Sequence, residues 1–280
     1  MNPRPVLAQL SASATGRLGL ALTAGIVACA LFAPLLATHD PNQLDVPARF
    51  APPSLMHWLG TDHLGRDLYS RVLYGARIAM WVALATSLLA FTLGALLGIA
   101  AAYAPPVIER LFLVVFDIVA AFPSLVLALA LVAVLGPSLA NVIIIVTMTL
   151  IPYFGRVARA QTLALRHAPF LEAERALGAS TPRIALSHVL PNILGPLIVL
   201  ASMNVPTVIT IEAGLSFLGV GVRPPRASWG TLLYDGYIYL SQSYWPVLWA
   251  GLALAAATLG FTLLGEALRD ALDPKARGLP

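Results

Sequence analysis

Apolar residues gather in six long runs, and the stretches between them hold nearly all the charge and most of the proline. The runs cover approximately 18–36, 79–103, 111–135, 139–155, 193–217 and 246–265. A helix needs roughly 20 apolar residues to cross a bilayer, so each run predicts a transmembrane helix, the fourth being the shortest. The expected fold class is an all-α membrane protein with six transmembrane helices. Pro123, Pro196 and Pro206 fall inside the third and fifth runs and predict kinks. Gly94 and Gly98 form a small-xxx-small pair in the second run, which lets a neighbouring helix come close.

One polar insert between runs has a helical period of its own. Pro169 suits a first helical turn, where its missing N–H costs nothing. Phe170, Ala173 and Leu177 then fall at i, i+3 and i+7 and make one apolar stripe. Gly178 can take the left-handed conformation that ends such a helix. Thr181 and Pro182 read as the N-cap and first position of a second helix reaching Leu190. The insert therefore reads as a short helix–turn–helix held between membrane spans, with the shape of a docking knob. An amphipathic helix lying on the membrane surface has the same period.

Composition agrees with a membrane protein. The chain is 59% hydrophobic and 11% charged, with a mean hydropathy of +0.83, outside the range of a soluble globule. With the N-terminus in the cytoplasm, eleven of the seventeen basic residues lie inside, including Arg4, Lys275 and Arg277, and six lie outside. That is the direction of the positive-inside rule. Both termini and the insert at Glu172–Pro191 are then cytoplasmic. The basic balance reflects topology, since no basic face is interleaved with aromatics as nucleic-acid binding would need. Ile26-Val-Ala-Cys29 has the form of a lipoprotein cleavage site, but apolar residues continue through Leu36, which favours a retained span. Cys29 is the sole cysteine, excludes an intrachain disulfide, and reads as apolar filler.

Residues 37–78 form the larger external segment. Its proline-rich beginning is turn-like, and from Asp67 the run Leu68, Val72, Leu73 reads as a short helix resting on the membrane, with Trp58 in the interfacial belt. His57, Asp62, His63 and Asp67 do not share one helical face and Gly60 and Gly65 interrupt them, so a surface cap is expected and no metal. The second external segment, 219–245, carries Trp229, Tyr234, Tyr237, Tyr239 and Trp245, read as an aromatic belt that positions the last span.

Two carboxylates lie at membrane depth, where charge is costly. Asp117 and Glu212 either line a translocation path or are buried partners between helices. They are too few and too peripheral for an ion-coupled carrier, and they lie at different depths, unlike an aspartyl dyad. No phosphate-binding glycine loop ending in lysine is present, because the sole lysine is Lys275. No paired-cysteine or His-Glu-x-x-His motif offers zinc ligands. No cofactor is expected on this chain, no covalent chemistry, and any ATP hydrolysis must reside on a partner.

Glu172-Ala-Glu-Arg-Ala-Leu-Gly178, followed at Leu190-Pro191, resembles the cytoplasmic coupling loop of permease subunits in bacterial binding-protein-dependent ABC importers. Glu174 departs from that pattern's second alanine. Trp58-Leu-Gly-Thr-Asp-His-Leu-Gly-Arg-Asp67, Leu73-Tyr-Gly-Ala-Arg77, Ala121-Phe-Pro-Ser124, Glu212-Ala-Gly-Leu-Ser-Phe-Leu-Gly219, Ser228-Trp-Gly230 and Leu268-Arg-Asp-Ala-Leu-Asp-Pro274 narrow the resemblance. They are similar to the C-type subunit of dipeptide, oligopeptide and nickel importers. The resemblance implies a type I importer permease fold with kinked helices and a cytoplasmic coupling helix in the bacterial inner membrane. It implies ATPase coupling through Phe170, Glu172, Ala173, Ala176, Leu177, Gly178 and Ala179. A path near Asp117, Phe122, Pro123 and Glu212 is expected. The implied partners are a homologous B-type permease, two ATP-binding subunits and a periplasmic or lipid-anchored solute-binding protein, with membrane lipids around them. Di- or oligopeptides are the implied cargo, with nickel, glutathione or another small solute as alternatives. Three regions follow: 1–75 with the first span and periplasmic segment, a core at 76–268 carrying the coupling loop 156–191, and a cytoplasmic tail at 269–280.

Overall fold

A computed structural model describes residues 10, 11 and 13–272. Arg4, Asp273, Pro274, Lys275, Arg277 and most of the expected tail lie outside the described residues. The described chain is almost wholly helical, with a single isolated bridge between Thr61 and Asp67. The membrane helices are α1 (Ala14–Leu36), α2 (Leu68–Tyr103), the pair α3 (Pro106–Ala121) and α4 (Ser124–Leu135), α5 (Leu139–Leu165), α8 (Leu190–Phe217) and α10 (Trp245–Leu272). Between α5 and α8 come α6 (Pro169–Ala176), α7 (Thr181–Ile184) and a π-turn at Ala185–Val189. The last surface helix is α9 (Trp229–Ile238).

Five helices are long and apolar enough to cross a membrane, and the α3–α4 pair makes a sixth span if its two halves are joined. The expected kink at Pro123 is a 94° bend. Phe122 and Pro123 both take extended backbone angles there. Proline disfavours helical geometry in the residue before it, so the helix stops and a second one starts. By contrast α8 continues as one helix through Pro196 and Pro206.

Two boundaries differ from the sequence reading. The short surface helix expected after Asp67 is the first turn of α2, a 36-residue helix capped by Asp67, whose side chain accepts from the Ser70 backbone N–H at 2.8 Å. It runs unbroken across position 75. The fourth span reaches Leu165, not residue 155, because Arg156 and Arg159 find carboxylate partners on α3 and need not end the helix.

Glycine sets two of the helix crossings. A Cβ on Gly94 would sit 2.4 Å from Phe154 Cβ, and one on Gly98 would sit 2.3 Å from the Gly155 carbonyl oxygen. The predicted close approach is therefore between α2 and α5. On the other flank, Gly19 meets the backbone at Leu264 and Gly260 faces Leu22 and Thr23, locking α1 against α10. Cys29 lies half-buried within α1 as a free thiol. Phe154, Ile145, Leu150, Ile193, Leu197 and Ile209 fill the core between α2, α5 and α8.

Connections fall on two opposite ends. Residues 37–67 and 218–244, with α9, form a cap at one end. The α2–α3 turn and the α6–α7 knob lie at the other.

Candidate coupling surface and translocation face

The knob is built as its sequence suggests, with two refinements. Pro169 occupies the first turn of α6, and Gly178 adopts φ +85°. The Gly178 N–H donates to the Arg175 carbonyl and the Ala179 N–H to the Glu174 carbonyl, both at 3.0 Å, which closes the helix end. Ser180, not Thr181, precedes the next helix as its cap residue, and Thr181 is its first position. That second arm does not stop at Leu190. It passes through the π-turn into α8, so Thr181–Phe217 forms one 37-residue rod. Pro191 lacks an N–H and would crowd the carbonyl four residues back, and the wider π-turn sits where that carbonyl is.

Leu171 is fully buried and joins the core, as do Ile184 and Val189. These three fasten the knob to the helices above it, so one side of α6 docks on protein. Arg175 adds a clamp, its Nη1 donating to the Arg166 carbonyl at 2.9 Å. With Leu171 turned inward, the stripe predicted from spacing turns outward: Phe170 is 44% and Leu177 84% exposed, and Glu172, Ala173, Ala176 and Gly178 are exposed beside them. Ala179 is half-buried against the core. The seven residues thus make one apolar ledge with an acidic edge. The edge pairs loosely with histidines, His167 with Glu172 at 3.9 Å and His188 with Glu174 at 3.7 Å.

The expected path residues separate. Asp117 is exposed on α3 and accepts from Arg156 Nη2 of α5 at 2.7 Å. Glu109 and Arg159 join the same helices a few turns away. Phe122 and Pro123 are exposed at the bend. Glu212 is different: it has no exposed surface, and its Oε1 accepts from Ser216 Oγ at 2.7 Å. In this conformation Glu212 ties the end of α8 together and does not face an open path. Arg156 was not singled out from the sequence, although a cation just past an apolar run, on the helix after Asp117, was the available signal.

The cap holds more charge than its surface reading implied. Arg66 Nε donates to Asp62 at 2.7 Å, Arg71 Nε lies 3.4 Å from the same carboxylate, and Arg66 Nη2 reaches Asp235 of α9 at 3.3 Å. Burial pushes the His63 imidazole below its usual pKa and the Asp235 carboxyl above its own, against the opposing pull of their mutual charge. The His63 ring stacks on Tyr239 with centroids 4.7 Å apart. Asp235 joins cap to α9 across 169 residues of sequence, and nothing in its local pattern announced it. Trp229, expected in an interfacial belt, is instead a core residue whose Nε1 donates to the Val72 carbonyl at 3.0 Å.

Residues 94–278 match the family described as binding-protein-dependent transport system inner membrane component. The chain belongs to that family. Residues 5–53 of the permease also match the N-terminal transmembrane domain of oligopeptide transport permease C. The permease is 39% identical to the dipeptide transport system permease protein DppC of Alkalihalophilus pseudofirmus, over 98% of this chain and 90% of that protein. It is 39% identical to the di/tripeptide transport system permease protein of Pseudomonas aeruginosa, over 92% and 88% respectively. It is 40% identical to the glutathione transport system permease protein GsiD of Escherichia coli, over 90% and 84%. Its fold is shared with a chain of the inward-facing MetNI methionine ABC transporter at a TM-score of 0.59 and 18% identity, covering 74% of this chain and 98% of that one. The type I permease fold expected from the sequence is thereby shown, as is the C-type peptide-permease resemblance.

Proposed function

We propose that the permease forms half of the translocation path for di- or oligopeptides and is driven by a separate ATPase docked on the α6 ledge. The observation that carries this reading is the outward stripe of Phe170, Ala173 and Leu177 on a knob anchored by buried Leu171. An apolar stripe on a firmly held helix, joined through the Gly178 turn to a membrane-crossing rod, suits transmission of force from a partner. Glu172, Ala176, Gly178 and Ala179 complete the ledge. Two ATP-binding subunits supply the hydrolysis, a homologous B-type permease supplies the other half of the path, and a solute-binding protein delivers cargo to the cap. Peptide cargo rests on the names of the dipeptide and di/tripeptide relatives, and the glutathione relative makes that tripeptide a second reading.

In this mechanism ATP binding closes the ATPase pair and moves the ledge. The helices pass from inward-open to outward-open as rigid units, and hydrolysis resets them. The path lies on the face carrying Asp117, Phe122 and Pro123, with Glu212 joining it only if α8 turns during the cycle. The knob end and both termini are cytoplasmic. Residues 1–75, 76–268 and 269–280 serve as the first span with its periplasmic segment, the transport core and the tail.

Gly178→Asp tests the coupling reading. A Cβ at Gly178 meets nothing within 4 Å, so the cost to the fold is the left-handed backbone alone, about 1–2 kcal/mol. A charge on the ledge should abolish ATP-dependent uptake of peptide in reconstituted vesicles while abundance in the membrane stays normal. Normal uptake at normal abundance would refute the assignment.

A further inference from the structure

The cap brings together two sets of side chains with metal-binding chemistry, Asp62–His63–Asp235 and His39–His57–Asp67. The first is already neutralised by Arg66 and Arg71, two guanidinium groups bonded into or against its carboxylates. A cation there would meet two fixed positive charges. Among the described residues no arginine sits on the donor atoms of the second set, and its carboxylate is held as a prepared ligand. Asp67 Oδ2 is fixed by three donors: the Ser70 N–H at 2.8 Å, Ser70 Oγ at 2.7 Å and Thr38 Oγ1 at 3.4 Å. The other oxygen, Oδ1, is thereby turned toward both imidazoles, 3.0 Å from His57 Nδ1 and 3.8 Å from His39 Nδ1.

The histidines are positioned by their backbones. The His39 N–H donates to Ser70 Oγ at 3.1 Å and the His57 N–H to Ser54 Oγ at 3.1 Å. One ligand atom from each of the three residues lies within 4.8 Å of the others; bonds of about 2.0–2.2 Å in a tetrahedral site hold such atoms about 3.3–3.6 Å apart, so small side-chain rotations close the site on an ion. Asp67 and His57 are buried and His39 is half-buried, which leaves one side of the site open for a water as fourth ligand. A shared helical face is not needed, because the loop supplies His39 from 28 residues before Asp67.

We propose that His39, His57 and Asp67 bind a divalent zinc ion that fastens the 37–67 loop to the start of α2. Two imidazoles and a carboxylate are a zinc donor set. On binding, His39 and His57 both carry their protons on Nε2, so that the Nδ1 lone pairs face the ion in place of the contacts that His39 Nδ1 makes with Thr38 Oγ1 at 3.0 Å and His57 Nδ1 with Asp67. Ser70 and Thr38 serve as the outer partners that hold the carboxylate.

The test uses the full chain purified through a tag without histidines, stripped with chelator, and titrated with zinc and with cobalt(II). The expected result is about one ion per chain, a rise in Tm with zinc, and visible absorption from cobalt bound to nitrogen and oxygen ligands. His39→Asn and His57→Asn should each weaken zinc binding by at least about 100-fold, since losing a direct ligand costs no less than losing an outer partner, about 10–100-fold, and His63→Asn should leave it unchanged. His39 is half-exposed, so its variant should fold even if the buried His57 variant does not. Failure of the wild type to take up either ion would overturn the proposal, as would binding by His39→Asn equal to the wild type. Either result would leave His57 and Asp67 as a hydrogen-bonded loop clasp only.

Discussion

At the scale of single residues, the cap shows how burial and charge oppose each other. Among the described residues His63 Nδ1 has no hydrogen-bond partner and sits 3.9 Å from Asp235, with Asp62, Arg66 and Arg71 around it. Desolvation is the larger influence, and it lowers the His63 pKa below 6.5. The unfolded chain then binds more protons than the folded one, so the contribution of His63 to stability is complete above pH 6.5 and is lost as pH falls through the folded value. Asp235 runs the other way: its raised pKa favours the folded state at low pH and loses that contribution as pH rises through the folded value. As pH falls below 6.5, protonation of the unfolded chain's histidine sets the direction of the His63 effect. Thermal unfolding of the purified chain should shift to lower Tm between about pH 7 and about pH 5.5. His63→Phe, which keeps the stack on Tyr239, should flatten that slope. Equal slopes for the two proteins would show that another group controls the cap.

Among elements, the α2–α5 crossing is the most demanding. Gly98 faces the Gly155 carbonyl and Ala158 Cβ, so a side chain there has backbone to displace. Gly98→Val should cost about 3 kcal/mol, at the upper end for overpacking, and should lower both abundance in the membrane and Tm in detergent. Wild-type values for both would mean the helices can part freely. Much of this level was legible in the sequence: the six runs, the Gly94–Gly98 pair, and Gly178 as a helix end all follow from local pattern. The continuity of the helix after Asp67 with the second span was not. Arg71 and Arg77 interrupt its apolar run, and only the distant carboxylate of Asp62 and the carbonyl of Pro41 let Arg71 be buried. Trp229 was misplaced for the same reason, since its acceptor, Val72, lies 157 residues away. The angle at Pro123 was likewise beyond local reading, because proline sets where a helix ends and neighbouring helices set where the chain goes next.

For the whole molecule, the ledge and the cap lie at opposite ends of the same set of helices, and the expected orientation has a direct check. In a Cys29→Ala background, a cysteine at Met56 of the cap should react with a membrane-impermeant thiol reagent added outside spheroplasts. One at Leu177 should react only after the membrane is opened. Both positions are exposed, so reversed labelling would invert the topology. The site residues were legible at this scale in unequal measure. The ledge could be read because a helix carries its own period. The fate of Glu212 could not, because burial by α9 and Ser216 depends on how the far end of α8 is enclosed.

That enclosure gives the 37-residue rod its mechanical meaning. A Cβ on Gly230 would sit 2.2 Å from the Ala213 carbonyl oxygen and one on Gly221 2.4 Å from Ser216 Oγ, so the tip of α8 lies close beneath α9 with no room for a side chain. A rod of this length spans roughly 56 Å at 1.5 Å per residue, so a tilt of about 10° sweeps one tip through roughly 10 Å relative to the other. With the far tip held, a tilt of that size would show chiefly at the knob, so a partner gripping the ledge would work on the long arm of a lever.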